Sequence, residues 1–180
     1  MAYTVFESTN MAAPKWSKYR IYDVVAESNI ENGTVGYIEV TSTSQSDTHV
    51  YNFTPGTKSG AVHVIANNPA YDPERADLGA HSESKYIIPA GTVFRAFELA
   101  PLDEFAISID GVTSATQATM DVGKYVTVNS TTGKFVAAAS SSDSALVEGY
   151  VIRKRKSGIG LTTVAGSTPT TLYTIKITKV

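Results

Sequence analysis

The sequence predicts an all-β fold: a compact, mostly antiparallel β-barrel or sandwich with an irregular N-terminal arm and long loops. Three observations predict it. Thirty positions are Val or Ile against six Leu, and branching at Cβ crowds a helix but packs well on a pleated surface. Roughly ten short apolar or alternating segments are punctuated by turn residues about every 8–12 positions. Between them lie no amphipathic stretches long enough to serve as the crossover helices of a parallel α/β sheet. With 180 residues, 42% hydrophobic and 18% charged, the chain suits one folded domain and is neither wholly disordered nor a helical membrane protein.

Taken in order, residues 1–18 show neither alternation nor a helical stripe, and Pro14 interrupts them. They read as an arm preceding a single β domain over 19–180. Strands begin at Ile21-Tyr22-Asp23-Val24-Val25 and continue after the Asn32-Gly33 turn with Thr34 to Val40, since Asn-Gly tolerates positive φ. A Ser/Thr-rich loop over 41–47 precedes a strand ending at Phe53, and Pro55-Gly56 turns the chain again. Ala61-Val62-His63-Val64-Ile65 reads as a buried strand.

The stretch 67–85 carries Pro69 and Pro73 and predicts a long loop, with one helical turn over 74–78. Further strands are predicted around Ile87-Ile88, over Val93 to Leu99, and over Phe105 to Asp110, where Phe105, Ile107 and Ile109 share one face. Residues 112–122 predict a loop or one short helix. Lys124 to Val128 and Lys134 to Ala137 flank Asn129-Ser130-Thr131-Thr132-Gly133, which has the length and chemistry of a hairpin loop. Ala145 to Ile152 and Thr171 to Thr178 complete the strands; Tyr173, Ile175 and Ile177 alternate with Thr174, Lys176 and Thr178.

Composition narrows the function. A net charge of -2 gives no field that would draw the chain to nucleic acid or an acidic membrane, so neither is an expected partner. The absence of cysteine excludes disulfides, thiol catalysis and thiolate metal sites. The first residues lack the basic start and apolar stretch of a secretory signal, which predicts synthesis in the cytoplasm.

No catalytic constellation stands out. Of the three histidines, His63 alternates with Val62 and Val64 as a structural residue would, His49 enters a strand, and His81 lies in the long loop. No nucleophile elbow accompanies them. Asp72, Glu74, Asp77, His81 and Glu83 crowd the same loop, but their spacing matches neither an EF-hand nor a zinc helix and reads as solvated. Gly123-Lys124 and Gly133-Lys134 lack the rest of a phosphate loop. The sequence therefore predicts no enzyme, no cofactor and no metal.

Partner-binding candidates remain. Phe6 and Trp16 put aromatic anchors on the arm, which either packs on its own domain or reaches a neighbouring subunit. Tyr71 sits in the long loop. Arg153-Lys154-Arg155-Lys156 is the strongest charge run; it reads either as a solvated hairpin tip or as a docking patch for an acidic partner surface or nucleic acid.

The order of segments resembles a known family. Val50-Tyr51-Asn52-Phe53, Val64-Ile65-Ala66-Asn67-Asn68-Pro69, Pro89-Ala90-Gly91-Thr92-Val93-Phe94-Arg95-Ala96, Asp103-Glu104-Phe105-Ala106-Ile107-Ser108 and Val147-Glu148-Gly149-Tyr150-Val151-Ile152 are similar to small head-decorating, or cement, proteins of tailed bacteriophages. The likeness spans residues 32–180 and rests on strand and turn patterns. It implies a non-enzymatic virion protein on the capsid exterior that binds the major capsid protein and stabilises the shell, often as an oligomer such as a trimer. The rival expectation is a β module of a phage particle that binds glycans or a host surface through Tyr and Trp faces.

Overall fold

The computed structural model describes residues 3–16, 18–41, 49–68, 86–156 and 171–180. The elements are β1 (Phe6–Asn10), α1 (Ala12–Trp16), β2 (Ile21–Val25), β3 (Val35–Ile38), β4 (Val50–Asn52), β5 (Thr54–Pro55), β6 (Val62–Ala66), β7 (Val93–Glu98), β8 (Glu104–Ser108), β9 (Tyr125–Val128), β10 (Phe135–Ala138), β11 (Glu148–Lys156) and β12 (Thr171–Lys179). Short 3-10 turns cover Lys18–Arg20, Ile109–Gly111 and Ser114–Thr119. The last falls within 112–122, where the sequence leaves a loop or one short helix open. Of the loop candidates over 41–47 and 67–85, residues 42–47 and 69–85, the predicted helical turn included, lie outside the described residues.

Two six-stranded sheets form, ordered β1-β8-β12-β11-β9-β10 and β4-β2-β7-β6-β3-β5. All named strand pairs are antiparallel except β2 with β4. The second sheet nearly closes on itself. β4 and β5 are one strand interrupted at Phe53; its first half pairs with β2 and its second half with β3. The Phe53 N–H bonds the Val25 carbonyl at 2.8 Å, so the interruption lets one strand serve both edges, as barrel closure requires.

Alternation then builds two cores from the same strands. Val64 and Ala66 of β6 and Phe94 and Ala96 of β7 point into the barrel, where Phe94 meets Phe53 edge-on at 5.3 Å. Ile65 and Phe97 point the other way, onto Phe105, Phe135, Ile175 and Ile177 of the first sheet. Both faces of β6 are therefore dry, which is why its sequence reads as a nearly unbroken apolar run. The Asn32-Gly33 turn is present, with Gly33 at φ 77°. The strands on either side of it do not pair with each other, so it is a connection within the barrel and not a hairpin.

Two corrections concern the ends of the chain. The N-terminal segment is not irregular throughout: β1 pairs with β8, Phe6 beside Ile107 and Ser8 beside Phe105. The strand escapes a periodicity search because only Phe6 of its five residues is buried; it is an edge strand, polar where it meets solvent. The basic run at residues 153–156 is not a loop tip either but the second half of β11, paired with Thr171 to Thr174 of β12.

The sheets are joined at a backbone crossing. The Val35 N–H bonds the Gly133 carbonyl and the Gly56 N–H bonds the Val35 carbonyl, both at 3.0 Å. Gly133 has φ 69°, and a Cβ there would stand 2.0 Å from the Val35 oxygen. Only glycine allows three backbones to meet this closely.

Candidate functional site

Of the sequence-predicted contact residues, the described side chains, Phe6 and Arg153 to Lys156, do not share one surface. Phe6 is 3% exposed and packs its ring 5.6 Å from that of Phe105; it is a core residue, and its place among surface anchors is corrected. Trp16 ends α1, and its side chain lies outside the described residues, as does the whole of Tyr71.

The N-terminal segment is fastened to its own domain at several points. The Glu31 carboxylate accepts from the Thr4 N–H at 3.0 Å and the Thr4 hydroxyl at 2.8 Å, while its other oxygen takes Lys134 Nζ at 3.0 Å. The Val5 N–H donates to Ser108 Oγ at 3.0 Å. Asp103 accepts from the Ala12 N–H at 2.7 Å and the Ala100 N–H at 2.8 Å. Desolvation in this buried position holds the Asp103 carboxyl above its ordinary pKa, against the pull of those two backbone donors. With Met11 and Ala13 also in the core, residues 4–13 dock in cis.

Register explains the last fastening. Glu7 lies beside Ala106, Ala106 beside Thr174, and Thr174 beside Arg153. These residues face away from the inter-sheet core, because Phe105 and Ile107 face into it. Glu7 forms an ion pair with Arg155, so long side chains from β1 and β11 close over the small Ala106 and Thr174, both buried.

The basic run is thus divided. Lys154 Nζ lies 3.4 Å from Asp121 Oδ1 and 5.5 Å from the Tyr173 ring centroid. The Val122 N–H first and Lys154 second hold the Asp121 carboxyl below its usual range. Arg153 and Lys156 are exposed and have no ion-pair partner among the described residues. β9 pairs with β11 only through Glu148 to Tyr150, and beyond the Val151–Lys124 bond at 2.9 Å the outer edge of β11 has no strand neighbour among the described residues. A lysine- and arginine-lined edge repels other strands, and it presents two unspent charges to an acidic surface. The exposed Lys154–Asp121 pair is screened by solvent, so a partner carboxylate could replace Asp121 at little cost.

His63 is 5% exposed, and its Nε2 accepts the Lys58 N–H at 3.3 Å. Burial lowers its pKa below the ordinary imidazole value and keeps the ring neutral, matching the structural role read from its alternation. It lines an open groove of about 420 Å³ with Glu98, Leu99, Leu146 and Lys179. In that groove Glu98 is already engaged: it accepts from Tyr22 Oη at 3.0 Å and lies 3.8 Å from Arg20. Burial and the Glu98 hydrogen bond push the Tyr22 pKa up to about 12. Among the described residues no three His, Asp or Glu side chains converge as metal ligands; the acidic loop candidates Asp72, Glu74, Asp77, His81 and Glu83 lie outside them. No helix among the described residues is long and apolar enough to cross a membrane.

Two features went unread in the sequence, a partly buried tyrosine pair and an exposed leucine. Tyr125 and Tyr150 pair in register on the outer face of the first sheet, beside the Lys176–Glu104 ion pair. Leu102 stands at a turn apex with a backbone suited to glycine. No sequence signal marks either, because cross-strand pairing and positive φ are set by distant chain. Comparison with family models, with curated proteins and with solved structures returns no match.

Proposed function

We propose that this chain is a structural protein of a tailed-phage particle that decorates the outside of the head, binding the major capsid protein and stabilising the shell. One observation supports the reading most: the chain is cross-fastened into a mechanically continuous body. A cement module must transmit load between subunits, so its own elements must not slide. Here β1 is held by Glu31, Ser108, Asp103 and Arg155, and the sheets are locked at Val35, Gly56 and Gly133. Many copies acting together need only modest affinity each, and each bound copy favours the intact shell by mass action. The basic outer edge of β11, Trp16 and Tyr71 are the candidate contacts; Phe6 leaves that set.

The test is cosedimentation with empty, expanded heads of the phage that encodes the chain. Saturable pelleting with one affinity is the expected result, and an absence of pelleting would refute the reading. The second reading, a glycan-binding module, draws on the Tyr125–Tyr150 pair, since partly buried tyrosines on an outer sheet face, flanked by a Lys–Glu pair, suit stacking and hydrogen bonding to a sugar. Glycan-array binding without pelleting would favour it.

A further inference from the structure

The Asn32-Gly33 step carries a reaction that the fold holds in check. Where glycine follows asparagine, the glycine nitrogen can attack the side-chain Cγ, because no Cβ shields it. The bond from Cγ to the amide nitrogen breaks, ammonia leaves, and water then opens the resulting succinimide to aspartate or isoaspartate. The reaction needs no enzyme. It does need a carboxamide free to turn and a glycine nitrogen free of its proton.

The native contacts deny it both. Glu31 to Thr34 form a turn closed by the Thr34 N–H on the Glu31 carbonyl at 3.2 Å, with Gly33 at φ 77° in the third position of a type II turn. The Gly33 N–H donates to the Ala66 carbonyl at 2.8 Å. Asn32 is 1% exposed; its Nδ2 donates to the Asn68 carbonyl and its Oδ1 accepts the Asn68 N–H, both at 2.8 Å. Asn68 Nδ2 donates in turn to Tyr86 Oη at 2.8 Å, so Asn32 starts a chain of bonds that spans the two sides of the 69–85 connection. The N-terminal segment covers Gly33, where an added Cβ would stand 3.2 Å from Thr4 Cγ2 and 3.4 Å from Phe6 Cβ.

We propose that Asn32 is a latent deamidation site, gated by local opening of the Glu31–Thr34 turn from Ala66, Asn68 and the N-terminal segment. While the turn is docked the amide persists, and only the open fraction reacts. The product does not redock as before. A carboxylate at this buried position faces the Asn68 carbonyl with no proton to donate, which is costly at neutral pH. Isoaspartate also lengthens the main chain just before Val35, whose N–H and carbonyl help to join the sheets. Deamidation therefore marks, irreversibly, molecules that have opened. The inference stands apart from the decoration reading.

The test incubates the full chain in mildly alkaline buffer, folded or unfolded in urea, and follows conversion of amide to acid by mass spectrometry of the tryptic peptide 21–58, with fragmentation placing the change at Asn32. Unfolded chain should convert steadily. Folded chain should convert at least about a hundredfold more slowly, since three hydrogen bonds must open first. Equal rates in the two states overturn the gate, and an unfolded chain that keeps its amide overturns the site. Asn32→Asp, which installs the product directly, should melt several degrees below the parent at neutral pH; an unchanged melt would show that the modified turn redocks freely and overturn the irreversible mark.

Discussion

Gly133→Ala tests how the two sheets are joined. The added methyl meets two penalties. A left-handed φ of 69° costs an L-residue about 1–2 kcal/mol. The Cβ would also lie 2.0 Å from the Val35 oxygen and 2.8 Å from Thr34 Cγ2, so the crossing must open by more than an ångström. That movement breaks the Val35–Gly133 and Gly56–Val35 bonds, both 3.0 Å. Each is worth about 1 kcal/mol net and more when its groups stay buried and unpaired. The sum is about 3–5 kcal/mol, a large share of the roughly 5–15 kcal/mol that holds a domain together. The melting temperature should fall by about 10 °C or more. Gly123→Ala is the control: its φ is 81° with nothing within 4 Å of the added Cβ, so it meets the conformational penalty alone. Thermal and urea denaturation of both variants measure the difference. If the two alanines cost the same, the crossing is not what joins the sheets.

Phe6→Ala should lower stability by about 3 kcal/mol, because it opens a cavity against Phe105. Head binding measured well below its melting point should be unchanged; an unchanged melt with binding lost would mean that this segment docks on another subunit. The pH dependence follows from His63, whose folded pKa lies below the ordinary imidazole value of 6.5 because burial disfavours the charged ring. The folded state then binds fewer protons than the unfolded one, so this contribution is complete above about pH 6.5 and lost as pH falls toward the folded value. Asp103 works in the opposite sense. Its folded pKa is raised above 3.8, so its contribution is present below that value and lost as pH rises through the folded one. His63→Gln should flatten the loss of stability between pH 7 and 5, and denaturation curves that stay parallel to the parent's across that range would count against the assignment.

The all-β class, the barrel strand β2, the β9–β10 hairpin and the dry β6 are all legible in the sequence. Each is written in side-chain branching, period-two alternation or a turn of a few residues, which are local properties of a polypeptide. The alternation of Phe105 and Ile107 correctly names a core face, although Ile109 leaves the strand for a 3-10 turn. The structural role of His63 is legible for the same reason.

What lay beyond the sequence is whatever depends on which strands meet. Phe6 looks like a free aromatic on an arm until β8, about a hundred residues later, provides Phe105 and Ile107 as its floor. The run at residues 153–156 looks like one basic patch until pairing with β12 turns successive side chains to different surroundings. Lys154 then meets Asp121, Arg155 meets Glu7, and Arg153 and Lys156 remain exposed. Leu102 gives no sign of its positive φ, which the neighbouring strand imposes through the Ile177 carbonyl. Local sequence determined which segments become strands and which face of each is apolar, because those follow from backbone sterics and burial of alternate side chains. Only the tertiary structure decided strand neighbours, barrel closure at Phe53 and the surface left for a partner, because these depend on contacts between residues far apart in the chain.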